Sequence, residues 1–323
     1  MIVDAPNDLL LELVHRRREE RPFERHWLPL LDRGGVGIQV CPIYAATEDE
    51  PLPAALHAAA AFHRALAEHP DRVAQVRTAA DLDDPRLRLM LSLEGVEPLD
   101  QDPGLIDAFW HLGVRMVGLT WNNRNAFADG LGVEDDRGLS TLGERLVDRL
   151  VELGALIDLA HASPRTYDAV LDRVPRDAAV LVSHAGCRTV HDHPRNLSDD
   201  QLRALAERDG VLGIMCLPIT VGSESIEGVV DHVDHAVELL GLEHVGLGAD
   251  FIRQVNRATG NEPIKGGLMP PDMAPDAAID DLEGPEGFPN LVEALRRRGY
   301  DGERLDAILG GNLLRLFRRA LPR

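Results

Sequence analysis

Short apolar runs, most of them ending in a polar or glycine-bearing tip, alternate along this chain with longer stretches whose apolar positions recur every three or four residues. The first pattern predicts buried strands and the second amphipathic helices. Strands are expected at Ile2–Asp4, Val36–Tyr44, Leu87–Leu93, Arg115–Thr120, Leu156–Leu159, Val180–Ser183, Val211–Met215 and His244–Gly248. Strand and helix alternate almost throughout, the pattern of a parallel α/β architecture, and eight is the number that closes a (β/α)8 TIM-type barrel. Residues 1–323 read as a single domain, with no internal repeat and no long linker.

The helices have recognisable ends. Thr141–Leu153 follows Ser140, repeats Leu142, Leu146, Leu150 and Leu153 at helical spacing, and stops at Gly154. Ser163-Pro164 is an N-cap followed by proline at the first helical position and opens a crossover helix to about Val174. Ser198 to Gln201 forms a capping box for a helix to about Arg208, and Gly228–Leu240 carries one apolar stripe. From Phe251 to Pro289 the pattern lapses into a run rich in Pro, Gly and Asp, read as a long loop or lid over the mouth of the barrel. Asn290–Arg298 and Asp301–Arg319 close the chain as helices, the second broken at Gly310-Gly311-Asn312.

The crossover between Leu153 and Gly186 forces its two strands to run parallel. Each ends in a histidine, His161 and His184. Two imidazoles at the carboxyl ends of neighbouring parallel strands point into the crevice where such folds bind metals and substrates. The exits of the other strands add Asp8, Glu94, Trp121 and Asp250, with Arg195 in the loop beyond His184. Glu94 ends the apolar run LRLMLSLEG, where an unpartnered carboxylate is expensive and a cation is favoured. Two histidines and several carboxylates at one mouth suit Zn²⁺ or a similar borderline ion. His232 and His235 also have ligand-like spacing, but their helix precedes a strand, away from the strand exits, so packing or solvent roles are expected for them, as for His57, His63 and His69.

Composition narrows the partners. A net charge of −20 argues against nucleic acid and anionic membranes and for a small-molecule partner. Cys41, Cys187 and Cys216 are odd in number and lie in or beside apolar runs, the usage of buried thiols in a reducing compartment. No apolar run reaches membrane-spanning length, and MIVDAPND reads as strand and turn rather than a leader, so a cytoplasmic location is expected.

With these residues in place the chain resembles the membrane (renal) dipeptidase family, zinc metallopeptidases on the amidohydrolase-type barrel. The resemblance runs through VDAPNDLL, LSLEGVEPL, GVRMVGLTWNNRNAFADG, GALIDLAHAS, VSHAG, HPRNLSDDQL, HVGLGADF and GGNLLRLF, in that order. It implies that His161 and His184 bind one zinc, that Glu94 bridges it to a second, and that Asp8 belongs to the second ion. Arg195 matches the arginine that grips the substrate's terminal carboxylate, and Asp250 the aspartate that shuttles the proton. Trp121 and Asn125, in the loop after the fourth predicted strand, complete the substrate-binding candidates. The implied activity is hydrolysis of dipeptides or related small amides by a metal-activated hydroxide.

Three positions depart from the family's pattern. Pro6 stands where a histidine ligand of the second metal belongs and has no ligating side-chain atom. Trp121 replaces a histidine of the mammalian members; indole donates one hydrogen bond but takes up no proton. Leu217 stands where many relatives carry a tyrosine. The expectation is therefore a zinc site of two ions or of one, in a more apolar pocket. The alternatives are a catalytically silent binder of peptides or small carboxylates, and hydrolysis of a non-peptide amide or lactam. Relatives often dimerise, so a homodimer is a candidate assembly, although no interface is legible in the sequence.

Overall fold

In the computed structural model, which describes residues 1–260, 268, 270 and 273–323, nine parallel strands form one sheet. They are β1 (Ile2–Asp4), β2 (Val36–Tyr44), β3 (Val73–Gln75), β4 (Leu87–Glu94), β5 (Val114–Gly118), β6 (Leu156–Asp158), β7 (Val180–Ala185), β8 (Val211–Ile214) and β9 (Val245–Leu247). The order β2-β1-β9-β8-β7-β6-β5-β4-β3, with β2 also paired to β4, closes eight of them into a barrel. The chain has the expected (β/α)8 architecture.

The ninth strand, β3, corrects the count of eight. It pairs with the first half of β4, Val73 opposite Leu87 and Gln75 opposite Leu89, while β5 takes up the same edge from Leu91 onward. β4 outruns β5, and β3 supplies hydrogen-bond partners to the stretch that would otherwise lack them.

Helix starts follow the side chains that cap them. Ser140 Oγ accepts the Gly143 N–H, Ser163 Oγ the Thr166 N–H, and Ser198 with Gln201 makes the reciprocal capping box. The capped helices run Thr141–Leu153, Pro164–Arg173 and Asp199–Ala206, the last ending two residues before the expected Arg208. The loop expected after the eighth predicted strand is not wholly irregular: Arg253–Thr259 is helical, and Ile279 bridges Leu282. The rest of that expectation at residues 261–267, 269, 271 and 272 lies outside the described residues.

The two ends of the barrel are built differently. Inward-facing Val3, Ile38, Met90, Met116, Leu156 and Leu181 form an apolar floor, against which the helix Asn312–Ala320 lays Leu313, Leu316 and Phe317. Spacing of three and four residues puts these on one face, while Arg315 and Arg318 on the other pair with Asp209 and Asp83. Gly310 interrupts the helix before it, as the Gly-Gly-Asn run predicts. At the carboxyl end the barrel is left to polar residues. Cys41, Cys187 and Cys216 are free and buried, and no helix of the described residues is long and apolar enough to cross a membrane.

Candidate metal centre

Three strand exits meet at one point. Glu94 ends β4, His161 follows β6 and His184 lies in β7, and each turns a ligand atom into a group whose members all lie within 4.8 Å of one another. His161 Nε2 is 3.0 Å from Glu94 Oε1 and 2.9 Å from His184 Nε2, and His184 Nε2 is 3.5 Å from the same carboxylate oxygen. All three side chains are buried.

The surroundings of the imidazoles fix what they offer. His161 Nδ1 faces the amide oxygen of Asn122 at 2.7 Å, and His184 Nδ1 faces Ser183 Oγ, also at 2.7 Å. The Asn122 oxygen assigns the proton of His161 to Nδ1, and the Ser183 hydroxyl, which can give or take a proton, allows the same at His184; two Nε2 lone pairs then point at each other beside a carboxylate. Such a set is repulsive unless a positive charge stands between its members. The two imidazoles titrate in opposite directions: burial and the Arg195 charge push His161 down, whereas for His184 burial is outweighed by Asp250 and Glu94, which raise it. Burial likewise opposes the Glu94 carboxylate, yet the adjoining His161 and His184 imidazoles hold it below the usual range. The three ligand atoms are close enough to share a cation.

Around the group lies a cavity open to solvent. Asp8, Arg195 and Asp250 reach its wall together with Glu94 and His161. Asp8 sits at the N-cap of the helix Leu9–His15 but makes no capping bond, and its Oδ1 is buried without a hydrogen-bond partner among the described residues. Glu94 Oε2 is in the same condition. Burial first, then the charges of Glu94 and Asp250, raise Asp8 well above an ordinary carboxyl. Asp250 is raised by burial and Glu94 against the opposing pull of His184 and Arg195. This surplus of buried carboxyl oxygens is what a divalent ion neutralises. His161 and Asp250 both sit in the left-handed backbone region, at φ of +63° and +56°, strain of a kind that collects at functional sites.

Arg195 is almost fully buried, with Nη2 donating to the His184 carbonyl at 3.0 Å. Its loop is held by Asn196, whose amide takes the Gly186 N–H and donates to the His191 and Thr220 carbonyls. His232 closes the base of the same loop. Its Nδ1 accepts the Cys187 N–H at 2.9 Å and its Nε2–H donates to the Val221 carbonyl at 3.4 Å. Protonation would set an N–H against an N–H, and burial foremost lowers the pKa of His232 to about 4. A histidine depressed below its unfolded value stabilises the fold above pH of about 6.5, and that contribution, about 3 kcal/mol, is lost as pH falls toward 4. Urea unfolding between pH 7 and 4.5 is expected to show a steeper acid loss in wild type than in His232→Asn, whose amide oxygen can take the Cys187 N–H but binds no proton. Equal slopes would remove His232 from this account.

Comparison with known proteins follows the geometry. The model of the membrane dipeptidase family (peptidase family M19) matches residues 1–262. This chain belongs to that family. Dipeptidase verJ of Clonostachys rogersoniana is 30% identical over 276 residues, 83% of this chain and 65% of that protein. Dipeptidase 3 of Mus musculus is 28% identical over 343 residues, 98% of this chain and 64% of that protein. The chain thus spans less than two thirds of the length of these curated relatives. Among solved structures, the dipeptidase AC, a metallopeptidase of the same family, superposes with a TM-score of 0.85 at 24% identity, covering 100% of this chain and 99% of its own. A metallopeptidase from Rhodobacter sphaeroides, solved with a phosphinate mimic of the dipeptide L-Ala-D-Ala, gives 0.82 at 24% identity, with 99% of each chain covered. These neighbours carry the fold.

Within this family member the expected site residues separate into groups. Glu94, His161 and His184 converge; Asp8, Arg195, Asp250 and Trp121 line the cavity but stand outside that group of three. Trp121 packs edge-on to Tyr44 and tilts over His161, ring centroids 5.4 and 5.8 Å away. Asn125, expected among the substrate contacts, is not among the residues that line the cavity. Its amide is used within its own loop, donating to the Leu119 carbonyl and Glu97 and accepting the Phe127 and Ala128 N–H groups. Asn122 faces the site instead. Leu217 stands with Met215 and Ile219 in an apolar wall of the cavity, backed by Ile252 and Met273. Pro6 contributes its carbonyl, which accepts the Asp250 N–H at 3.1 Å.

Proposed function

We propose that this protein is a metal-dependent hydrolase of dipeptides or closely related small amides, with Glu94, His161 and His184 as the ligands of its principal ion. The observation that carries this reading is the convergence of the two buried Nε2 atoms, 2.9 Å apart, on the Glu94 carboxylate. Zinc suits two imidazoles and a carboxylate, and when bound it supplies Lewis-acid polarisation of the scissile carbonyl and acidification of water. Arg195 binds the substrate's free carboxylate through the guanidinium donors that the His184 carbonyl leaves over. Asp250, held to the Pro6 carbonyl, takes the proton from the attacking water and delivers it to the leaving amine. Trp121 and Tyr44 keep bulk water from the reacting end, and the Met215–Leu217–Ile219 wall receives an apolar part of the substrate.

The site of a second ion is weakened in this reading. Asp8 and the unpartnered Glu94 oxygen remain for it, while Pro6 brings no ligand. The deciding experiment is zinc content per chain after reconstitution and desalting, followed by a screen of dipeptides in the cytoplasmic pH range. About one tightly held ion with turnover supports the single-metal form, and about two would mean that another group replaces the missing ligand. Dipeptides bound and recovered intact from zinc-loaded protein would favour the silent binder, and no retained zinc would overturn the proposal.

A further inference from the structure

Two residues behind His184 decide which of its nitrogens is free. Ser183 Oγ lies 2.7 Å from His184 Nδ1 and 2.5 Å from Asp158 Oδ2. The other oxygen of Asp158 accepts the backbone N–H groups of Ser183 at 2.9 Å and Ala160 at 3.0 Å. A carboxylate only accepts, so the Ser183 proton points at Asp158. The hydroxyl oxygen is left to accept from Nδ1–H of His184, which bares Nε2 toward the cavity.

The chain holds this arrangement tightly. Asp158 ends β6 and Ser183 lies in the neighbouring β7, and both are buried. Two glycines admit the Ser183 backbone: a Cβ at Gly213 or Gly248 would stand 1.9 or 1.7 Å from its carbonyl oxygen. We propose that Asp158, acting through Ser183, is a positioning device that locks His184 in the Nδ1–H tautomer and so sets the affinity of the centre for its ion. This rests on the reading of His184 as a metal ligand. Groups that orient a ligating histidine in this way typically contribute about 10- to 100-fold in metal affinity.

The isosteric change Asp158→Asn separates orientation from packing. Its amide oxygen takes the two backbone N–H groups, and its NH₂ then stands where Oδ2 was and donates to Ser183. The Ser183 proton must turn to His184 Nδ1, which drives the imidazole proton onto Nε2 and blocks the ligand atom. Zinc affinity is measured by competition with a chromophoric chelator for wild type, Asp158→Asn, Ser183→Ala and His184→Ala. The tautomer of His184 is read from imidazole nitrogen NMR shifts of the zinc-free proteins. Asp158→Asn is expected to weaken zinc by about 10- to 100-fold with a reversed tautomer. Ser183→Ala, a smaller change that carries the test should Asp158→Asn fail to fold by circular dichroism, is expected to weaken zinc and leave the tautomers mixed.

Unchanged zinc affinity in both variants, with zinc lost in His184→Ala, would overturn the positioning role and leave the ligand assignment standing. Weakened zinc with the wild-type tautomer would overturn it too, since the loss would then be structural. Zinc retained by His184→Ala would bring down the ligand assignment and this proposal with it.

Discussion

Glu94→Gln is expected to weaken zinc binding by more than about 100-fold, beyond what loss of a group behind a ligand does, and to remove dipeptide hydrolysis with it. The carboxylate is the one anionic member of the converging group, and His161 and His184 both contact it. A glutamine at this position offers an NH₂ to the opposed lone pairs and fills the cation slot with neutral hydrogen bonds. The zinc-free variant is therefore expected to melt no lower than zinc-free wild type, because a buried carboxylate with one unpartnered oxygen is gone. Metal titration, turnover and thermal scans of the two proteins check this together. Wild-type zinc affinity in the variant would sink the three-ligand centre; a much lower melting temperature would show that the carboxylate serves the fold.

Asp250→Asn is expected to lower kcat by about 10²- to 10⁴-fold, the usual contribution of a positioned proton carrier, with zinc affinity retained. The substitution is unusually clean. Asp250 occupies the left-handed region at φ of +56°, which asparagine tolerates, and its N–H bond to the Pro6 carbonyl involves no side-chain atom. Carboxamide in place of carboxyl then removes little besides the ability to carry the proton. Steady-state kinetics on a cleaved dipeptide, beside zinc titration, reads the two effects apart. Unchanged kcat would assign proton transfer to another group, and lost zinc would make Asp250 a ligand.

The fold was legible because strands of a parallel barrel are buried on both faces and so appear as apolar runs. Glu94, His161 and His184 stood out for a related reason: each is the polar residue that ends such a run. β3 escaped because three residues of RVAQVR, between Asp71 and Thr78, show no period, and its pairing is imposed by the overhang of β4. Asp158 and Ser183 were hidden inside the strand runs, although a lone aspartate in GALIDLAH is a signal that buried charge demands a partner. Asn122 and Asn125 cannot be told apart in TWNNRN, since the turn after β5 decides which amide faces the cavity. The run after β9 looked featureless from its prolines and glycines, yet RQVNRAT lacks both and is helical.

Barrel closure has a kinetic meaning as well. The bond from the Ala249 N–H to Asp4 Oδ1, beside the β1–β9 pairing, joins positions 245 apart in the sequence. Closing a flexible loop of that length costs about 5 kcal/mol in chain entropy before any contact repays it. Contacts so distant along the chain are slow to form, so the seam between the first strand and the last is expected to close late in folding. The cavity that holds Asp8 and Asp250 depends on both sides of that seam. Until it closes, the two carboxyls are not brought together, and the binding chemistry assembles in the same step that completes the barrel.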